Sequence, residues 1–463
     1  MTTEQILSLT SGEATPAYIF DLGELEKRIS YLRRSIPSEI ELCYAVKANT
    51  FIIEKACELV DYLEICSPGE YRICEKLSCP HGKYVISGVN KQEDFIGELV
   101  SEKDPIAVFT AESKHQFFLL REAAKKQMVL ANTSDAKNAS VTDADEMGAS
   151  DADDLSASGA EGAEGISGRR LPVLIRLTSG TQFGLDKADL FDVISEYKDD
   201  PFIDIIGIQY FSGTQKNSLK KLKRELDYVD EVIKELRDRF SFETRKLEYG
   251  TGFPVSYFEG ESFDEDTFMK EFSDLLSGMA FKGKITLEIG RSIAASCGTY
   301  LTKVVDTKFN CGERYAIVDG GMHQIVYYGQ FMAMKHPKIR RLAALEAAAG
   351  AGNAGSEETA GSAAGAEAAN NTDIAEPCDW NICGSLCTIN DFLVKKYPFG
   401  DLKIGDILAF EDAGAYCPTE GISLFLSREL PSVFLLDGSG AFTKVREQIQ
   451  TEQFNSPGPV GRG

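Results

Sequence analysis

Lys47 stands just past the apolar run Glu41-Leu42-Cys43-Tyr44-Ala45-Val46, and a helical stretch begins shortly after it, near Phe51. An ammonium delivered where a buried strand ends loses part of its solvation. Its pKa falls, and the neutral amine becomes a usable nucleophile. The chemistry to expect of such a residue is amine chemistry built on Lys47, although a strand-end lysine facing water would look the same in isolation. A second cluster, Cys378, Cys383 and Cys387, could suggest a metal. With only 4 histidines in the chain and no second paired motif, the zinc pattern is weak and no metal is expected.

A reactive lysine needs a scaffold whose strand ends converge. Short apolar stretches at 42–46, 62–65, 84–86, 106–109, 128–130, 173–177, 205–210, 246–248 and 285–288 read as strands. Amphipathic stretches at 52–60, 69–76, 114–126 and 219–240 read as helices between them. That alternation implies βα units and a parallel sheet covered by helices. About eight such units favour an α/β fold closed as a (β/α)8 barrel, with its chemistry at the strand C-termini. Ahead of it, 14–20 reads as a strand, with Asp21 capping a helix over 22–34.

Beyond Arg291 the texture changes. Stretches at 300–307, 314–318, 325–328, 407–410 and 433–436, separated by Gly, Pro and Asp turns, read as a second, mostly β, barrel-like domain. The expected division is a strand segment at 1–20 joining the β domain, the barrel at 21–299, the β domain at 300–445 and a disordered tail at 446–463. Residues 133–169 and 346–376 are dominated by Ala, Asp, Gly, Ser and Glu. Their few large apolar side chains cannot repay the entropy of ordering, so they read as poorly ordered insertions, one in each domain.

The 463 residues carry 72 acidic and 49 basic side chains, a formal net charge of -23, and no Lys/Arg tract stands out. That balance argues against a nucleic-acid partner. No apolar run approaches a membrane span and no targeting pattern opens the chain, so a cytoplasmic protein without a membrane partner is expected. The 11 irregularly spaced cysteines point to free thiols rather than a disulfide framework.

The hexapeptide Tyr44-Ala45-Val46-Lys47-Ala48-Asn49 resembles the cofactor-lysine segment of pyridoxal-phosphate enzymes with an alanine-racemase-type barrel, fold type III. Among these the chain is most similar to the barrel-plus-β-domain decarboxylases of diaminopimelate, ornithine, arginine or lysine, nearest to diaminopimelate decarboxylase-like proteins. The similarity runs in order from about residue 14 to 436, the two insertions excluded.

The resemblance implies pyridoxal 5'-phosphate as cofactor, attached to Lys47, with Glu64 as the acidic residue near that lysine. Glu288, in Leu287-Glu288-Ile289-Gly290-Arg291, would keep the pyridine nitrogen protonated, and Arg176 would steer the phenolic oxygen. The phosphate needs backbone N–H groups unobstructed by side chains. Gly213-Thr214, Gly250-Thr251-Gly252 and Gly290-Arg291 supply them after three successive strands, and Tyr416 matches a family tyrosine that reaches the phosphate. Phe211 takes the ring-stacking place usually held by histidine; a phenyl ring stacks but neither donates a hydrogen bond nor carries charge.

Cys387, in Gly384-Ser385-Leu386-Cys387-Thr388-Ile389-Asn390-Asp391, is implied as the group that returns a proton to Cα. In the family it arrives from the β domain of a partner subunit, so a homodimer with shared sites is expected. Arg291, Tyr327, Thr388, Asp391, Tyr416 and Arg428 are expected around the amino-acid substrate. The family's acid after the cysteine is Thr388 here, its arginine-proline is Tyr327-Tyr328, and its Tyr-Asn is Phe425-Leu426. The activity implied is amino-acid decarboxylation, first of all of meso-diaminopimelate to L-lysine and CO₂. The alternatives are another substrate (lysine, ornithine or a specialised-pathway amino acid) or a cofactor-binding protein that has lost catalysis.

Overall fold

The computed structural model describes residues 1–142, 169–343 and 378–457. They form two compact units, one from Leu25–Val255 and Phe263–Ala294, the other from Met1–Glu24, Ser256–Ser262 and the described residues from Ala295 on. The first strand, β1 (Ala17–Asp21), belongs to the second unit. The next eight close a parallel barrel: β2 (Glu41–Ala45), β3 (Tyr62–Ile65), β4 (Tyr84–Ile86), β5 (Val108–Ala111), β6 (Leu171–Leu177), β7 (Ile203–Phe211), β8 (Lys246–Gly250) and β9 (Lys284–Ile289). Closure comes from β9 pairing back on β2, with Glu41 opposite Thr286 and Cys43 opposite Glu288.

The expected strand at 128–130 is not one. It lies inside the helix Lys114–Thr142. A short apolar run cannot be assigned by periodicity alone, and here Met128 is buried while Val129 and Leu130 are 54% and 63% exposed, the one-sided burial of a surface helix. The same helix continues through 133–142, so the first part of the expected insertion is helical; extending a formed helix costs far less than starting one. Residues 143–168 and the expected insertion at 346–376 lie outside the described residues.

Successive strand residues point to opposite faces. On the inner face Cys43, Val85, Val108 and Leu174 make an apolar cluster across four strands. The same interior holds charge, where barrels of this kind ordinarily pack branched apolar side chains. Glu41 Oε2 accepts from Lys246 Nζ (3.1 Å) and from Thr286 Oγ1 (2.8 Å), and Glu248 Oε1 accepts from Gln209 Nε2 (2.6 Å). Gly207 lets β7 and β8 close up, since a Cβ there would sit 1.8 Å from the Lys246 carbonyl oxygen.

In the other unit follow β10 (Gly298–Asn310), β11 (Glu313–Val318), β12 (Ile339–Leu342), β13 (Asp379–Cys383), β14 (Phe392–Pro398), β15 (Ile407–Phe410), β16 (Ser432–Leu436) and β17 (Phe442–Arg446). The sheet order is β14-β13-β11-β10-β1-β16-β17, with β15 pairing both β10 and β12. The segment 1–20 is only partly strand: a helix, Thr3–Gly12, is capped by Thr2 and Gln5, and β1 starts at Ala17. Ile6 of that helix joins Ile19, Leu301, Ile407 and Phe434 in the core of this unit. Asp21 does cap the helix Leu22–Ser35, accepting from Glu24 N at 3.0 Å.

Two further expectations are corrected. Residues 325–328 form no strand, because the Gln324 and Ile325 amides fold back onto the Gly321 carbonyl and Tyr327 is buried against the rings of Tyr257 and Phe258. The tail is ordered well past 446: Arg446 ends β17, Glu452–Phe454 forms a 3₁₀ turn, and the buried Thr451 hydroxyl donates to the Arg428 carbonyl at 2.8 Å. Residues 458–463 lie outside the described residues. The architecture is nonetheless the one expected, a (β/α)8 barrel and a separate, mostly β domain.

Candidate active site

Lys47 sits in the short 3₁₀ turn Val46–Ala48 that follows β2. Val46 and Ala48 are buried, whereas the Lys47 side chain keeps 40% of its surface open. Its Nζ lies 2.7 Å from Glu64 Oε2 on β3, 3.6 Å from Glu288 Oε1 on β9 and 3.6 Å from Cys66 Sγ. Three neighbouring strands therefore bring one amine and two buried carboxyls together at the C-terminal mouth of the barrel.

Two carboxyls that close, out of water, cannot both stay ionised. Burial works to raise the Glu64 pKa, but Lys47 and the hydrogen bonds from Glu288 and Cys66 outweigh it and hold it at about 2. Burial, and then the Glu64 charge, push Glu288 up to about 8 in spite of Lys47. At neutral pH the cluster is thus an ionised Glu64 facing the ammonium and hydrogen-bonded to a protonated Glu288. One residue pair further down the strands, Glu248 is fully buried, and burial together with the Glu64 charge pushes it up to about 7. Among the described residues its Oε2 and the Oε1 of Gln209 have no hydrogen-bond partner.

Around this group stand the other barrel candidates. Arg176, on β6, pairs with Glu112 (3.2 Å), and its guanidinium lies over the Phe183 ring at 5.0 Å. Phe211 ends β7, and its ring fills the space that a Gly250 side chain would need, a Cβ there coming within 2.3 Å of Phe211 Cδ2. Gly213 has φ +127 with open space where its Cβ would be. Gly252 has φ +59 and approaches so closely that its Cβ would meet the Gly213 carbonyl oxygen at 2.0 Å. Arg291 Nε donates to Thr214 Oγ1 (3.3 Å), and Thr251 N donates to the Glu288 carbonyl (3.3 Å). The ends of β7, β8 and β9, with Gly290 leading into Arg291, thereby form one knot of glycines and donors. An amine held among carboxyls, with open space at Gly213 where a side chain would stand, fits an aldehyde cofactor that carries a phosphate.

The remaining candidates belong to the sheet unit. Cys387 is exposed and Thr388 half-buried on a loop held by Asp391, whose Oδ1 accepts from Met322 N and Oδ2 from Leu386 N, each at 2.8 Å. Both oxygens of Asp391 are turned to backbone. Arg428 Nη2 donates to the Ser385 carbonyl at 2.8 Å, so Cys387, Thr388, Asp391 and Arg428 gather on one loop cluster. Tyr327 is packed away, its hydroxyl donating to the Glu411 carbonyl. Tyr416 takes a left-handed turn (φ +64), its carbonyl accepting from the amides of Thr419 and Glu420. His323 is buried with neither ring nitrogen partnered among the described residues, and burial holds it down at about 4, hence neutral.

Glu248, Gln209 and Cys66 escaped the sequence reading. A signal existed for the first: Lys246, Glu248 and Gly250 alternate with Leu247 and Tyr249, so a strand buried on both faces had to place charge inward.

Residues 18–414 match the sequence model described as pyridoxal-dependent decarboxylase, C-terminal sheet domain. Diaminopimelate decarboxylase of Aquifex aeolicus is 23% identical, over 87% of this chain and 82% of that protein. L-glutamyl-[BtrI acyl-carrier protein] decarboxylase of Niallia circulans is 23% identical over 97% of both. 2-[(L-alanin-3-ylcarbamoyl)methyl]-2-hydroxybutanedioate decarboxylase of Staphylococcus aureus is 25% identical, over 90% of this chain and 93% of that one. In fold, the chain resembles the crystal structure of diaminopimelate decarboxylase from Helicobacter pylori complexed with L-lysine, with a TM-score of 0.72 at 19% identity, covering 96% of this chain and 97% of that one. With the site geometry and a family match running through both units, the chain belongs to the pyridoxal-dependent decarboxylase family, and its cofactor is pyridoxal phosphate.

Proposed function

We propose that this protein removes the α-carboxyl group of an amino acid, and that meso-diaminopimelate, converted to L-lysine and CO₂, is the first substrate to test. The observation that carries the reading is Lys47 Nζ held between Glu64 and Glu288 at the barrel mouth. Bound pyridoxal phosphate supplies the electron sink for the pair left at Cα as CO₂ departs.

Lys47 is assigned as the attachment residue and Glu64 as the carboxylate that orients its ammonium beforehand. Glu288 is assigned to the pyridine nitrogen, Arg176 to the phenolic oxygen and Phe211 to the ring face. Gly213, Thr214, Gly250, Thr251, Gly252, Gly290, Arg291 and Tyr416 are assigned to the phosphate. Cys387 is assigned to return a proton to Cα, a transfer suited to a thiol near neutral pH. Arg291, Tyr327, Thr388, Asp391, Tyr416 and Arg428 remain the substrate candidates. Among them Asp391 is given the task of holding the Cys387 loop, since its oxygens are spent on amides. Assembly as a homodimer with shared sites, in the cytoplasm, completes the proposal.

A second reading keeps the reaction and changes the substrate. Thr388 is uncharged, Tyr327 is buried with its hydroxyl engaged, and relatives at 23% and 25% identity are named for glutamyl-carrier and hydroxybutanedioate substrates. The test is to incubate the cofactor-loaded protein with meso-diaminopimelate, lysine, ornithine and glutamate, and to follow CO₂ and the product. L-lysine from meso-diaminopimelate is the expected result. CO₂ from another amino acid alone would move the substrate, and CO₂ from none would leave a cofactor-binding protein without this activity.

A further inference from the structure

Beside the glycine knot the barrel buries an ion pair that none of the assigned roles uses. The side chains of Lys216 and Glu225 are 1% and 8% exposed, with Nζ and Oε2 2.8 Å apart. Withdrawing both charges from water is costly, and such a pair persists only when its remaining hydrogen-bonding capacity is met. Here it is met. The three Nζ protons of Lys216 are shared among Glu225, Ser212 Oγ (3.1 Å), Tyr249 Oη (3.3 Å) and the Gly250 carbonyl (3.2 Å), and its backbone N–H donates to the Gly252 carbonyl (2.8 Å). Glu225, on the helix Leu219–Phe240, accepts from Ser212 Oγ (2.6 Å) and Tyr249 Oη (2.7 Å). Four residues from the two strand ends and the following helix are thus gathered on one nitrogen.

The contact is close enough to set loop position. A Cβ on Gly252 would meet Lys216 Cε at 2.8 Å, so the lysine stem is the surface against which the Gly250-Thr251-Gly252 turn is laid. We infer that Lys216, fixed by Glu225 and Tyr249, is a positioning residue for the cofactor's phosphate: it clamps the loop after β7 to the loop after β8, so that their amides converge on one anion. This rests on the proposed assignment of those loops to the phosphate. Lys216 acts through the loops; its own charge is spent on Glu225.

The test compares two ligands that differ only in the anion. Apo-protein of the full chain, wild type and Lys216→Met/Glu225→Gln, is titrated with pyridoxal phosphate and with pyridoxal. The double variant leaves no orphaned buried charge. The expected result is a Kd for pyridoxal phosphate raised about tenfold, with the Kd for pyridoxal moved by less than about twofold. An unchanged ratio of the two constants overturns the clamp. If the wild type does not favour pyridoxal phosphate over pyridoxal, the phosphate assignment of the loops fails first, and the clamp with it. Should the double variant not fold, Tyr249→Phe removes one arm of the network, and there too an unchanged ratio overturns the inference.

Discussion

Lys47 is surrounded by more carboxyl groups than it can neutralise, and that surplus sets the behaviour of the free protein. Glu64 takes the ammonium, leaving Glu288 to be buried with its proton. Lys47→Ala should abolish attachment of the cofactor: after borohydride treatment the wild-type protein should yield a phosphopyridoxyl peptide containing Lys47, and a label on another lysine would sink the assignment. Glu288→Gln should keep most cofactor binding and slow turnover by about a hundredfold, the scale of losing one aimed electrostatic group. The same variant has a pH signature. In the unfolded chain a glutamate titrates near 4.5, and in the fold Glu288 is pushed up to about 8. Between those values the folded apo-protein binds more protons than the unfolded chain, so this residue's contribution to stability is whole below about 4.5 and is lost as pH rises towards 8. Melting temperatures of apo wild type and Glu288→Gln should therefore converge as pH falls and separate as it rises, with the variant the more stable at the upper end. Parallel curves would show that Glu288 does not carry that proton.

At the level of elements, the barrel is held to its register by close backbone approaches as well as by hydrogen bonds. Gly207 is the sharpest case, with no room for a methyl group against the Lys246 carbonyl. Gly207→Ala should cost about 3 kcal/mol, the upper part of the range for overpacking, because the obstacle is backbone and not the end of a flexible side chain. Its effect should appear in the denaturation midpoint and in the circular dichroism of the whole barrel; a midpoint within error of wild type would mean that β7 and β8 part easily. Short strands also explain where reading by pattern went astray. At 128–130 and 325–328 a few apolar residues in a row matched a strand equally well, and what decided was burial on one helical face in the first case and a turn with ring packing in the second.

At the scale of the whole molecule the candidate residues are divided between the two units. Lys47, Glu64, Arg176, Phe211, Glu288 and Arg291 lie in the barrel, whereas Cys387, Tyr416 and Arg428 lie in the sheet unit. If two copies share their sites, each site draws on both sets and a two-fold assembly makes two equivalent sites. Mixing Lys47→Ala with Cys387→Ala protein, each nearly inactive alone, should then restore about a quarter of wild-type activity per site after random subunit exchange, since one composite site in a mixed dimer is intact. No recovery, with exchange demonstrated by sedimentation of tagged chains, would count against sharing.

By itself the amino-acid sequence determined the alternation of strands and helices, the change of texture after Arg291 and the run of motifs from Lys47 to Tyr416, because each of these depends on neighbours along the chain: periodicity, turn residues and short spacings. Tertiary structure alone decided which carboxyl keeps its proton. Glu64, Glu248 and Glu288 are equivalent letters, each in an apolar strand, and they differ only through their distance from Lys47 and from one another once the barrel closes. The same holds for Lys216, one lysine among several near the start of a helix, whose burial against Glu225 and Tyr249 follows from the packing of that helix on two strand ends. Charge states and clamps are set by contacts between residues far apart in the chain, and no local pattern encodes them.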